Sequence, residues 1–471
     1  MSSPDAHSPL RTQKTLLWLI ASAFFMQMLD ATIVNAAAPS IALALHVPPL
    51  SLRTALTSYV LTLAVFIPAS AWLTERFGTQ RIFAAAITVF TIGSLACGLA
   101  PNLRMLIIAR VFQGLGGAML MPVGRYVLLR VFGRKDFVAA MSFVAIPGLL
   151  GPALGPLLGG ALAEYASWRL IFLINIPVGL VGLWLNRRAM PRLFGKRQPF
   201  DMRGFVLFGL ASGMLLTSAE FAGDLHIGPS LVSAAVGIVI ALLYALHSRS
   251  CSHPVNDLRL FRIRSFTIAV MGSLVARLGV AGLSFLLVLY LQIGCGYSPF
   301  ASGLMLVPLA LAMMLMKPFI ERLIRKLGYR LLLRVTTPLV GVILASFALL
   351  GHAPSPWAVG ALVFSYGLVL SLQYTTMNTL SFTDLAPAQA AHAAALTTTV
   401  QYLALSFGIA NASMLMAVFI GPARQPEAYV PAFRMAVLIL AMFPLIATLV
   451  FLRLRHDRPM RTPIETPDTA A

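Results

Sequence analysis

Stretches of about 20 predominantly apolar residues recur along this chain, each long enough to cross about 30 Å of hydrocarbon as a helix rising 1.5 Å per residue. Hydrocarbon offers the backbone no hydrogen-bond partner, so a segment that enters it must satisfy its own amides, and a helix does so. Fourteen such segments are expected, at residues 15–37, 54–74, 82–101, 105–127, 138–163, 168–188, 203–222, 229–248, 266–291, 300–320, 329–350, 357–379, 392–412 and 432–453. The composition agrees: 59% of residues are hydrophobic and 11% charged, where a soluble domain carries about a quarter charged residues. The expected class is an all-α polytopic membrane protein.

A formal charge of +20 invites a nucleic-acid partner until the basic residues are placed. With the amino terminus in the cytoplasm, 28 of the 35 Lys and Arg residues fall in or beside cytoplasmic segments. Arg53, Arg104, Arg169, Arg424 and Arg434 fall on the other side, and Arg110 and Arg277 lie inside spans. That bias places both termini in the cytoplasm and assigns the charge to orientation and lipid headgroups, with no nucleic acid expected. Arg11 and Lys14 before the first apolar run resemble a signal peptide's start, but further spans follow at once and an uncleaved first helix is expected. Cys97, Cys251 and Cys295 are too dispersed for a disulfide framework or a recognisable metal cluster.

The segments divide into a tail at 1–14, six spans within 15–188, a linker with two extra spans at 189–265, six spans within 266–453 and a tail at 454–471. A faint repeat supports the division. FGTQR at 77–81 joins the second and third spans, and LGYR at 327–330 joins the corresponding pair of the later six. Each glycine permits a tight turn that an arginine holds at the lipid surface, as repeated bundles in a transporter would have it.

Asp30, in LDATIVN, is about 22 Å along the first helix, and Arg110 is a few residues into the fourth from the other end, so their depths overlap. They form either a structural ion pair or a proton-coupling or gating pair; surface snorkelling is the third alternative. Gln27 and Gln113, three residues from Asp30 and Arg110, extend the same polar face. Arg277 lies about 16 Å into the ninth span with no acid in that span, so it either faces a cavity or binds backbone carbonyls. Glu220 clusters with Asp224 and His226 at the mouth of the seventh span; it is solvent-exposed there, or a second protonation site if deeper. Tyr59, Phe285, Tyr290 and Gln373 are candidate cavity residues by position along their helices.

The fifth span contains PGLLGPALGPLLGG at 147–160. Gly148, Gly151, Gly155 and Gly159 recur at three or four residues and make a strip nearly free of side chains, while Pro152 and Pro156 lack backbone donors; close packing and a hinge or sliding surface are both open. QGLGGAM at 113–119 continues a transmembrane helix without a preceding strand, and the chain carries no phosphate-loop lysine motif, so nucleotide hydrolysis is not expected. No loop shows a nucleophile-base arrangement, and enzyme activity is not expected.

Together these segments resemble the major facilitator superfamily, and within it the fourteen-span drug:proton antiporters. LDATIVNAAAP at 29–39 is similar to that family's first-helix motif, RVFQGLGGAM at 110–119 to its fourth-helix motif through Arg110, Gln113, Gly114 and Gly117, and GPALGPLLGG at 151–160, ending at Gly160, to its fifth-helix antiporter motif. The turn after the second helix, AWLTERFGTQR at 71–81, departs from the family: Ala71 stands for glycine, Glu75 for aspartate, and Thr79 and Gln80 thin the basic cluster around Arg76, Gly78 and Arg81. The later copy has Arg325 where the first has Glu75. The resemblance implies a major facilitator fold of two six-helix bundles with two additional central helices, alternating access to a central site, and proton-driven export of amphipathic small molecules across a bacterial inner membrane. It implies Asp30 as the titrating group, no cofactor or metal beyond the proton gradient, membrane lipids as surroundings and a monomeric working unit. An uptake carrier and a nontransporting receptor or scaffold are the alternatives.

Overall fold

The computed structural model describes residues 10–195, 199–386, 389–421 and 425–454, and among them every regular element is helical. The first three membrane helices are Leu10–Ala44, Arg53–Phe77 and Thr79–Gly98. A continuous helical stretch bends at Gly133 into a fourth helix, Leu103–Gly133, and a fifth, Ala139–Tyr165. The sixth is Leu170–Ala189, the seventh Met202–Gly223, the eighth Ile227–Ser250 and the ninth Arg264–Gly294. A second long stretch, Pro299–Leu349, turns at Gly328 and supplies the tenth and eleventh helices on either side. The last three are Pro356–Leu380, His392–Ile420 and Tyr429–Leu452. Counting the two arms about Gly328 separately, the fourteen expected spans are all present.

The faint repeat has a conformational basis. Gly78 adopts φ 87° and ψ 148°, and Gly328 adopts φ 74° and ψ 162°. Side chains rarely adopt a positive φ, and glycine takes it without steric cost. Thr79 and Gln80, where the basic cluster is thinned, tie this turn to the strand of chain after the sixth helix: Thr79 donates its N–H to the Leu193 carbonyl at 3.0 Å, and Arg192 Nε donates to Gln80 Oε1 at 2.7 Å. By alternation of the helices, Gly78, Gly133, Gly328 and Leu452 share one side of the bundle, referred to below as the basic side.

The first helix runs to Ala44, past the expected end at residue 37, with Pro39 inside it. Alanines favour the helix, and Ala36, Ala37, Ala38, Ile41 and Ala42 are all buried, so packing outweighs the one backbone bond that Pro39 cannot donate. Helices one to six pack together, as do helices nine to fourteen. Between the halves, the second helix lies against the thirteenth and the fifth against the tenth. The seventh helix packs on the second and thirteenth, so it covers the seam between the halves, and the eighth packs chiefly on the seventh. Leu231, Val232, Leu242 and Leu246 of the eighth are exposed, as a lipid-facing surface requires. Asp201 caps the seventh helix by accepting the Gly204 N–H at 2.8 Å, and it pairs with His247 Nε2 of the eighth at 2.7 Å.

Candidate functional site

Asp30 and Arg110 meet. Arg110 Nη1 stands 2.6 Å from Asp30 Oδ2, and both side chains are shut away, at 0% and 1% exposure. Arg110 Nη1 also donates to Gln113 Oε1 at 2.7 Å, and the Gln113 amide donates back to Asp30 Oδ1 at 2.8 Å. The i, i+3 spacing of Arg110 and Gln113 on one helix makes this closed three-residue ring possible. Arg110 Cζ lies 4.0 Å from the centre of the Tyr59 ring, so the second helix supports the guanidinium face.

Two members of the network were not anticipated. Asn175 Nδ2 donates to Asp30 Oδ1 at 3.2 Å, and Ser94 Oγ accepts from Gln113 Nε2 at 2.7 Å and from Asn175 Nδ2 at 3.3 Å. The signal for Asn175 was a lone amide inside an apolar helix; Ser94 gave none, since a serine can bond back to its own helix anywhere. Five helices, the first, second, third, fourth and sixth, therefore converge on one carboxylate. In low-dielectric surroundings such a pair is stable only when its remaining donors and acceptors are satisfied, as these are.

The pair sits at the wall of a cavity of about 620 Å³ between the two halves. Arg110 lines it, while Asp30 lies behind Arg110 and away from the cavity surface, contrary to the expectation of a shared polar face. Phe285, Arg277 and Pro152 line the cavity. A second space of about 320 Å³ continues from it toward the basic side; Arg125, Met121 and Tyr402 line both, and Gln27 and Glu75 line the second. Gln27 is buried with its Oε1 unpartnered. Arg125 is a further residue the sequence did not single out, because its charge near a helix end was assigned to membrane orientation.

Arg277 donates from Nε to Ser273 Oγ at 3.1 Å, and its Cζ lies 3.7 Å from the centre of the Tyr374 ring. It has no acidic partner among the described residues. Tyr290 is placed away from the cavity: its ring stacks on Phe433 at 4.4 Å and its hydroxyl donates to the Gly351 carbonyl at 2.6 Å. Gln373 is likewise enclosed in the twelfth helix's packing, with both side-chain polar atoms unpartnered. Glu220 belongs to a separate cluster on the side opposite the basic one. Its carboxylate takes Arg53 Nε at 2.8 Å, the Thr54 hydroxyl at 2.8 Å and the Thr57 hydroxyl at 3.0 Å, and Arg53 also holds Asp224 at 2.9 Å. Those contacts pin the seventh helix to the second, apart from the Asp30 network. Asp201, His247 and Cys251 bring ligand-type atoms within 4.8 Å of one another, a grouping that sequence spacing did not show.

The glycine motifs serve close approach. A Cβ at Gly114 would stand 2.8 Å from Thr62 Cβ, and one at Gly117 3.0 Å from Leu63, so the fourth helix lies against the second. In the fifth helix, a Cβ at Gly151 would stand 2.7 Å from Leu29 N, one at Gly155 would meet the Thr32 hydroxyl and one at Gly159 the Ile33 carbonyl. The strip thus rides on the segment of the first helix that carries Asp30. Gly160 and Pro156 meet the tenth helix at Pro299 and Gly303, and Glu164 accepts the Phe300 N–H at 2.8 Å. With Gln292 donating to the Ala36 carbonyl at 2.9 Å and Ser406 to the Thr57 carbonyl at 3.1 Å, these contacts join the halves on the side away from the basic one. In the turn after the second helix, Arg76 and Arg81 are exposed and Glu75 makes no ion pair among the described residues.

The profile of the family described as Major Facilitator Superfamily matches residues 20–409. The chain belongs to the Major Facilitator Superfamily. Within this superfamily it is 42% identical over 408 residues to the curated MdtD protein of Pectobacterium carotovorum subsp. carotovorum (strain PC1), named for multidrug resistance, covering 86% of this chain and 88% of that one. The MdtD protein of Salmonella heidelberg (strain SL476) is also 42% identical, over 86% of each chain. Among solved structures, a bacterial homolog to the human lysosomal transporter Spinster, inward-facing and unoccupied, superposes with a TM-score of 0.68 at 17% identity, over 94% of this chain and 97% of that one. The nucleoside transporter NupG gives 0.65 at 14% identity, over 94% and 98%. At those identities the superpositions establish the major facilitator fold, and the relatives make this chain a transporter of that superfamily.

Proposed function

We propose that the protein is a proton-coupled antiporter that exports amphipathic small molecules, drugs among them, across the bacterial inner membrane. Both termini are cytoplasmic in this reading, so the basic side faces the cytoplasm and the central cavity extends toward it. The observation that carries the reading is the Asp30–Arg110 pair, set at the cavity wall and bonded to Gln113, Asn175 and the Ala55 carbonyl. Protonation of Asp30 removes the negative charge that holds Arg110 and turns an acceptor into a donor, so the ring of Arg110, Gln113 and Asp30 must rearrange. The glycine strip of the fifth helix bears directly on the first helix beside Asp30, and gives that rearrangement a route to the contacts between the halves.

The proton gradient supplies the drive without a cofactor, and one chain encloses the cavity, so the working unit is a monomer. Names of the MdtD relatives support drug-like cargo. The test is flux in proteoliposomes under imposed pH gradients of both signs. Cargo is expected to move against the proton flow in the parent protein, and Asp30→Asn is expected to uncouple the two while changing side-chain volume little. Cargo moving with the protons would establish uptake instead, and unchanged coupling in Asp30→Asn would remove Asp30 from the mechanism.

A further inference from the structure

Three guanidinium groups line the central cavity, those of Arg110, Arg125 and Arg277, and no carboxylate does among the described residues. Arg110 is neutralised from behind by Asp30. The other two are not. Among the described residues Arg125 has neither an ion-pair nor a hydrogen-bond partner, and it is open to the cavity. Arg277 is held in place by Ser273 and by the Tyr374 ring, which occupy Nε and one face, and its two terminal amino groups have no partner among the described residues. Glu75 shares the second space with Arg125, but it does not line the cavity and stands beyond ion-pair distance of Arg125.

Charge is costly to take out of water, so cations within a membrane protein are ordinarily paired; a solvent-accessible cavity wall that carries two guanidinium groups, Arg125 exposed and Arg277 partly exposed, with no counter-charge among the described residues is placed to meet an anion that arrives. Arginine's planar fork matches an oxyanion, and a charge-assisted bond to it is about twice as strong as a neutral one. The remaining wall is largely apolar, with Phe285, Met121 and Leu405 among its side chains. We infer that the cargo of this cavity is an amphipathic organic anion, its oxyanion head held by Arg125 of the fourth helix and Arg277 of the ninth and its apolar body against Phe285 and Met121. The inference rests on the cavity being the cargo site, as proposed above. Arg125 and Arg277 belong to different halves, so the same anion neutralises a repulsion that the empty carrier meets whenever its halves close over the cavity.

The experiment uses three probes of one shape in the purified full chain: 1-naphthoate, 1-naphthamide and 1-naphthylmethylammonium, with affinities measured by titration calorimetry in detergent. Naphthoate is expected to bind at least about tenfold more tightly than either of the others, and Arg125→Gln and Arg277→Gln each to weaken naphthoate by at least about tenfold with little effect on naphthamide. Arg125→Lys and Arg277→Lys keep the charge and lose the fork, so they retain more naphthoate affinity than the glutamine variants; they also serve if a glutamine variant does not purify as a monodisperse protein. Tightest binding of the ammonium, naphthoate affinity indifferent to both arginines, or no naphthoate binding up to about 10 mM, which is a free energy no more favourable than about −2.7 kcal/mol, would overturn the inference. Flux in proteoliposomes separates it from the proposed function. Arginine-dependent naphthoate binding without movement under a pH gradient leaves the anion site standing and removes proton-coupled export. Proton-driven movement of the ammonium, indifferent to both arginines, does the reverse.

Discussion

Arg110 holds Asp30 at 2.6 Å while its other face rests 4.0 Å above the Tyr59 ring, so one guanidinium ties the first helix to the second from within the fourth. Breaking such a pair strands a charge in a low-dielectric interior. Removing either partner from a buried pair costs about 3–5 kcal/mol, whereas removing both leaves no stranded ion. Asp30→Asn and Arg110→Gln are each expected to lower thermal stability in detergent, and the double variant to lose less than the sum of the two. Additive losses in that double-mutant cycle would show that the pair is not energetically coupled.

Gly155 and Gly148 lie seven residues apart on the fifth helix but differ in what they face. A methyl at Gly155 would collide with the Thr32 hydroxyl, while one at Gly148 would meet Phe24 Cβ at 3.8 Å, an ordinary contact. Gly148→Ala is therefore expected to leave flux and stability nearly unchanged, or to stabilise slightly through helix propensity. Gly155→Ala is expected to push the first and fifth helices apart and cut cargo flux severalfold. Thr32→Ala in the same chain removes the hydroxyl and should restore part of it. Equal flux from the two single variants would mean that the strip is not in working contact with the first helix.

What the sequence made legible follows from which properties depend on position along a helix and which on rotation about it. An ion in an apolar run is conspicuous at any rotation, so Asp30, Arg110 and Arg277 stood out. Ser94 and Asn175 did not, because a neutral polar side chain reveals its partner only once five helices are placed. Tyr290 lies deep in the ninth helix as expected, but its rotation turns it onto Phe433, whereas Phe285 five residues earlier faces the cavity. Arg125 was hidden by the charge bias itself: beside a basic loop, one more arginine looks like orientation, and only the assembled halves show it inside the cavity. The first helix overran its expected end because Pro39 reads as a stop in isolation, and burial of the alanines before it outweighs that stop.

The two additional helices carry their own titratable lock. Burial raises the pKa of Asp201, but the Gly204 N–H and His247 beside it more than offset that and hold the carboxyl below its usual range. A depressed folded pKa contributes stability that is fully present above the ordinary carboxylate value, about 4, and is lost as pH falls through the folded value. Stability should therefore fall on the acid side below about pH 4. Asp201→Asn can still cap the helix but cannot pair as an anion with His247, so its melting temperature should depend less on pH across that window. An acid limb of the same steepness in the variant would assign the loss of stability to other groups.

Glu164 stands at the end of the fifth helix and accepts the Phe300 N–H at the start of the tenth, at 2.8 Å, joining the halves on the side away from the basic one. Gln292 to Ala36 and Ser406 to Thr57 are further hydrogen bonds between the halves on this side, so this carboxylate is one of several polar ties there. Glu164 is exposed, so water competes for its acceptor oxygens and the bond is weaker than a shielded one. Its loss should therefore shift the balance between closed and open seams by a few-fold rather than abolish transport. Glu164→Gln keeps an acceptor and should resemble the parent, while Glu164→Ala should favour opening. A cysteine placed at Thr32, which lines the cavity, reports the change: its labelling by a membrane-impermeant maleimide added outside whole cells should rise a few-fold in Glu164→Ala and stay near the parent level in Glu164→Gln. Equal labelling in all three backgrounds would mean that Glu164 does not hold the seam closed.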